Sequence, residues 1–196
     1  MNENTELYPK MFTWLFIGLL ITFASGYALF MNEILMYRVL SIGILPIAII
    51  EIVIALILGI RIQKMNPITP KILYVIYCNI TGITFSALFV TFELSSLIGI
   101  FIITAIIFAL LAFYGYTTKR DLTKLGTIIF IGLIGILIGS LLNMLIFKSS
   151  MMDTGLTIIG VFVFVGYIAY DVNKIKQLVP YVGEDKAAVY GAFQLY

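Results

Sequence analysis

The run TGLTIIGVFVFVGYIAYDVNKIKQL, residues 154–178, decides the fold. Its first seventeen residues, Thr154–Tyr170, carry no charge. Crossing the hydrocarbon core of a bilayer takes about 20 apolar residues. Inside lipid each backbone N–H and C=O must be satisfied within the protein, so a run this long and continuous is a helix. Asp171 then breaks the apolar pattern, followed by Lys174 and Lys176. A carboxylate at that position is costly and calls for a reason.

Outward from this run, five more segments have the same character: Met11–Phe30, Val39–Ile60, Ile72–Phe92, Leu97–Tyr116 and Leu125–Phe147. A further apolar stretch, Ala187–Tyr196, is too short to span. The expected fold is therefore an all-α polytopic membrane helix bundle. It has six full transmembrane helices plus the start of a seventh, in a single domain over residues 1–196. Composition agrees: 11% of the residues are charged, against about a quarter in soluble domains.

The absences narrow the function. There is no histidine, which excludes Ser-His and Cys-His nucleophiles and His-ligated metals, and leaves proton sensing to carboxylates. Cys78 is the only cysteine, so no disulfide framework is expected and Cys78 reads as a small core residue. An aspartyl protease needs two aspartates within spans, and only Asp171 qualifies. The chain is expected not to be an enzyme and to need no cofactor. A net charge of +2 gives no case for nucleic acid. The first apolar run is too long for a signal-peptide core and lacks a basic start.

Lysines and arginines set the orientation. With the N-terminus in the cytosol, Lys10, Arg61, Lys64, Lys71, Lys119, Arg120, Lys124, Lys174, Lys176 and Lys186 all fall inside. Only Arg38 and Lys148 fall outside, a strong positive-inside pattern.

Small and polar residues form stripes within the spans. Gly18, Thr22 and Ser25 lie on the first, Asn79, Gly82 and Ser86 on the third, and Gly132, Gly135, Gly139 and Asn143 on the fifth. Close helix packing is the first reading, with Gly135 and Gly139 as a Gly-x-x-x-Gly pair. A polar seam along a water path is the second. Pro46 is expected to kink the second span and free carbonyls near Glu51. In the link GYTTKRDLTKLG, residues 115–126, Asp121 or Thr123 is a candidate helix cap.

Two carboxylates stand apart. Glu51 lies about 18 Å below the start of the second span, near mid-membrane. Asp171 lies about 25 Å below the start of the sixth, close to the cytosolic boundary. Arg61, about 33 Å down the second span, marks that boundary. If these two spans are neighbours, the three share one site. The plainer readings stay open: an Asp171–Lys174 ion pair, and a structural hydrogen bond from Glu51 to a neighbouring helix.

The Tyr170-Asp171 pair in YIAYDVNKIKQL and the segment GYTTKRDLTKLG resemble signatures of the transmembrane BAX inhibitor motif family, as does the order of six spans with Glu51 in the second. The bacterial, calcium-leak branch is the nearest in length. The resemblance implies a pH-sensitive calcium leak. It gives Asp171 the role of gate, paired with a second aspartate in the seventh helix and latched by an arginine matching Arg61. Gly191–Tyr196 resembles the beginning of that seventh helix, and the chain stops there, so the expectation is a member lacking most of it. Glu51 or an oligomeric partner would then stand in for the second aspartate.

The expected function is thus a pH-sensitive cation leak, for calcium, with Asp171, Arg61 and Glu51 gating, and with Asp171 and Glu51 offering oxygen ligands to the permeant ion. The expected partners are the lipid bilayer, calcium ions and other membrane proteins, and the expected location is a bacterial plasma membrane. The alternative is a non-conducting regulator of a membrane protease or of a stress or cell-death response.

Overall fold

The structure, a computed structural model, describes residues 6–118 and 122–196. Among them every regular element is helical. Helix α1 spans Leu7–Phe30, α2 Glu33–Ile42, α3 Ile44–Arg61, α4 Thr69–Thr91 and α5 Leu94–Thr117. Helix α6 spans Thr123–Leu142, α7 Ser150–Lys174, α8 Val179–Val182 and α9 Glu184–Leu195. Among the described residues six helical segments are long and apolar enough to cross a membrane, as expected. Large apolar side chains such as Ile100, Leu110 and Phe113 point outward, where lipid rather than water satisfies them.

The second span differs from its expected form. Val39–Ile60 is not one kinked helix: the chain breaks at Gly43, between α2 and α3. Gly43 sits at φ 84, ψ 158, a region open essentially to glycine alone. Pro46 falls in the first turn of α3, where its missing N–H takes no hydrogen bond from the helix. The break comes from glycine geometry, not from a proline kink.

Turns close through side chains. Asn66 Oδ1 accepts from the backbone N of Ile68 at 3.1 Å and of Thr69 at 2.9 Å, and from Thr69 Oγ1 at 2.8 Å, just before α4. Between α6 and α7 the helix widens into a π turn over Asn143–Phe147, and Lys148 takes a left-handed conformation. Asn143 then bonds both ways with Ser149: its Nδ2 donates to Ser149 O at 3.1 Å, and its Oδ1 accepts from Ser149 N at 2.9 Å. Residues 119–121, including the candidate cap Asp121, lie outside the described residues. The residue at the N-terminal boundary of α6 is Leu122, without a side-chain cap, and the side chain of the other candidate, Thr123, likewise lies outside what is described.

Two compact units emerge. One holds the chain to Ile102 together with Ile175–Tyr196; the other holds Ile103–Lys174. In the first unit α4 packs against α1 and α3, and α9 lies on α1 and α4. The stripes on α1 and α4 face each other: a Cβ on Gly26 would lie 2.7 Å from Gly82 O, and Ser25 Oγ donates to Asn79 O at 3.4 Å. That is close packing through small residues. In the second unit α6 and α7 pair. A Cβ at Gly132 would lie 3.2 Å from Val163, and one at Gly139 2.9 Å from Leu156, while Gly135 faces open space. The packing pair on α6 is Gly132 and Gly139, two turns apart, not the expected Gly135 and Gly139.

Candidate functional site

Asp171 lies one turn before the end of α7 and is 4% exposed. The negative end of a helix is a poor place for a carboxylate. Among the described residues no hydrogen bond reaches its Oδ2. The expected structural partner, Lys174, turns elsewhere: its Nζ donates to the Tyr170 hydroxyl at 2.6 Å and lies 5.0 Å from the centre of that ring.

The neighbours of Asp171 on α7 are held firmly within their unit. A Cβ on Gly115 of α5 would lie 2.5 Å from Ala169 O and 3.1 Å from Val172 Cβ. One on Gly126 of α6 would collide with the Tyr170 ring. Asn173 is buried, and its Nδ2 donates to Gly115 O at 3.3 Å and Thr118 O at 3.4 Å. Gly115 lies in the last turn of α5 and Thr118 directly follows it, at the end where helical carbonyls run out of partners along the helix. The GYTTKRDLTKLG segment and the Tyr-Asp stretch are thus joined through Gly115, Gly126 and Asn173. Nothing in the spacing announced Asn173, although a polar residue two places from Asp171 in an apolar run was a visible signal.

Glu51 lies in the other unit, on α3. Thr84 Oγ1 of α4 donates to Glu51 Oε1 at 3.0 Å, which is the hydrogen bond to a neighbouring helix that the plainer reading allowed. Because α3 begins at Ile44 rather than at Val39, Glu51 is only about 10 Å down its helix. Arg61 is the last residue of α3 and is exposed. Arg61 and Asp171 fall in different units. Among the described residues no three His, Cys, Asp or Glu side chains gather into a metal-binding group.

A second polar cluster went unread. In the first unit the Thr22 hydroxyl lies 3.0 Å from Gly18 O and 3.1 Å from Cys78 O, and it meets the Tyr196 hydroxyl. A threonine hydroxyl has one proton. Spent on these carbonyls, it leaves Tyr196 to donate to Thr22. The rings of Tyr74 and Tyr77 stand edge-on to Tyr196 at 5.9 Å and 5.7 Å, and Tyr74 OH donates to Trp14 O at 3.2 Å.

Residues 5–196 match the family described as inhibitor of apoptosis-promoting Bax1. The chain is 36% identical over 174 residues to the inner membrane protein YbhL of Escherichia coli (strain K12), an alignment covering 86% of this chain and 73% of that one. A protein of Borreliella burgdorferi is 35% identical over 200 residues, covering 98% of this chain and 86% of its own. Protein RP147 of Rickettsia prowazekii is 32% identical over 201 residues, covering 100% and 85% respectively.

Proposed function

The chain belongs to the Bax inhibitor family of membrane proteins, and from that premise we propose that it is a pH-sensitive cation leak, for calcium, gated by Asp171. One observation carries the reading: Asp171 is buried at the end of a membrane-spanning helix, with an oxygen that no described residue satisfies. Natural proteins keep such groups where they bind protons or ions. A free carboxylate oxygen suits a hard cation, which takes oxygen ligands.

In this reading the ionised Asp171 keeps the path closed and its protonation opens it. The resemblance gives Arg61 the closing counter-charge and Glu51 a place on the cation's route; both roles belong to the proposal. The N-terminus is cytosolic, on the strength of the lysine and arginine distribution. The membrane is a bacterial inner membrane, by analogy with the printed name of the Escherichia coli relative.

The test is Ca²⁺ entry into dye-loaded proteoliposomes between about pH 5 and pH 8, for the chain and for Asp171→Asn. Flux that varies with pH, and stops varying in the variant, supports the leak. Folded protein that passes no more Ca²⁺ than empty liposomes overturns it. One observation favours the rival, a non-conducting regulator: Gly135 leaves open space on α6 where another helix could approach. A regulator's partner binding should survive Asp171→Asn.

A further inference from the structure

Helix α2 begins and ends at nearly the same depth. Helix α1 runs beside α4 in the same direction, with Gly18 against Tyr74 and Gly26 against Gly82. That register puts Phe30, the end of α1, level with Ser86 of α4. Helix α3 runs the opposite way, and its Glu51 meets Thr84. That pair puts Ile44, the start of α3, level with Thr91, the end of α4. From Ser86 to Thr91 is about 8 Å along a helix axis. Helix α2 has 10 residues and is about 15 Å long, so it lies aslant the spans rather than along them.

The crossing does not need it. Leu45–Lys64 is 20 residues long, about 30 Å of helix, which matches the hydrocarbon core by itself. Helix α2 is also built as an element of its own. Asn32 Oδ1 accepts from Leu35 N at 3.0 Å and caps its start. Glu33 stands in its first turn, where the helix dipole favours an acid. Ser41 Oγ donates to Arg38 O at 2.7 Å near its end, and Gly43 stops it.

Its two sides differ. At about 100° per residue, Glu33, Tyr37, Arg38 and Ser41 share one arc, interrupted by Ile34, and Leu35, Met36, Val39 and Ile42 share the opposite one. Met36 seats α2 on the bundle: it is buried, and its Sδ lies 3.5 Å from Ser86 Oγ of α4. Leu35 and Ile42 belong to the same apolar arc, yet both are exposed.

We propose that α2 is an interfacial helix whose partner is the lipid surface. Leu35 and Ile42 enter the acyl boundary of one leaflet, Met36 anchors on α4, and Glu33, Arg38 and Ser41 face headgroups and water. Lipid is the occupant because both ends of α2 lie where spans end, at the headgroup level. Helices of this kind sit about 5–10 Å into that boundary. Glu33 and Arg38 carry opposite charges, so apolar burial holds α2 there without anionic lipid. The assignment stands whether or not the chain conducts ions, and it lies in the other unit from Asp171.

Spin labels at single cysteines test it. The variants are Glu33→Cys, Leu35→Cys, Arg38→Cys, Ser41→Cys and Ile42→Cys, each in the full chain with Cys78→Ala and in phosphatidylcholine nanodiscs. Dissolved oxygen collects among acyl chains, and a nickel chelate stays in water. Oxygen should dominate relaxation at positions 35 and 42, and nickel at 33, 38 and 41. Oxygen at all five positions would make α2 part of a span, and nickel at all five would lift it off the membrane. Labels at 35 and 42 that neither reagent reaches would mean that a protein chain covers the arc. Each of these results, or any other pattern without the alternation, overturns the proposal. Should the chain without Cys78 fail to fold, Leu35→Trp in a Trp14→Phe chain decides alone. Stronger quenching by lipids brominated near the headgroup than by lipids brominated near the chain ends supports the interfacial helix, and equal, reversed or absent quenching overturns it.

Discussion

The Thr84 hydroxyl on α4 donates to the Glu51 carboxylate on α3 across 3.0 Å, so the acidic residue of the second span is tied to the third. Thr84→Val keeps the shape and removes the donor. It should destabilise the chain by about 1–3 kcal/mol, the cost of leaving a polar group without its partner. Glu51→Gln keeps an acceptor for Thr84 and should cost less. The midpoint of unfolding by sodium dodecyl sulfate in mixed micelles measures both. A Thr84→Val midpoint equal to wild type would show the bond to be dispensable.

For the leak, the sign follows from which form of Asp171 closes the path. Ionised Asp171 closes it and protonated Asp171 opens it, so Ca²⁺ flux should rise as pH falls from about 8 to about 5. Asp171→Asn is a permanent stand-in for the neutral form and should be open across that whole range. Flux that falls on acidification would reverse the assigned sign.

Two glycines of the second unit separate by what a methyl group would meet. Gly115→Ala places a Cβ 2.5 Å from the backbone oxygen of Ala169, where nothing can rotate away, and should cost about 1–3 kcal/mol. Gly135→Ala meets nothing within 4 Å and should be neutral or gain up to about 1 kcal/mol from helix propensity. Thermal unfolding followed by the fluorescence of Trp14, the single tryptophan, ranks the two. Equal losses would mean that the α5–α7 approach is not tight.

At the α2–α3 break, Gly43→Ala should cost about 1–3 kcal/mol from backbone strain alone, since no neighbouring atom stands within 4 Å of the added carbon. Pro46→Ala should lie within about 0.5 kcal/mol of wild type, because the first turn of a helix does not need that N–H. A reversed order in the same unfolding assay would reinstate a proline kink.

Six spans were legible because apolar length is a local property, and lipid leaves the backbone one local solution. The break at Gly43 was not, since a glycine in an apolar run reads equally as a packing residue. Glu51 stood out as an intramembrane acid, yet its partner Thr84 is 33 residues away, and no periodicity links them. Asp171 was visible for the same reason as Glu51. Asn173 beside it was visible too, but not the carbonyls of α5 that it reaches. Lys10 was read only as a charge near the membrane surface, and Glu184, 3.1 Å from it, was not read at all. Their pairing depends on how α9 folds back on α1, which residue spacing does not encode.

The turn between α6 and α7 has a bearing on how the chain is made. Asn143 and Ser149 satisfy each other's polar groups, and only Lys148 carries charge across the tip between Asn143 and Ser150. A hairpin closed in this way can leave the ribosome and enter the membrane as one preassembled piece. At its tip the Asn143 side chain and the Ser149 backbone are already matched, and α6 and α7 meet as neighbours in the chain, without help from any later element.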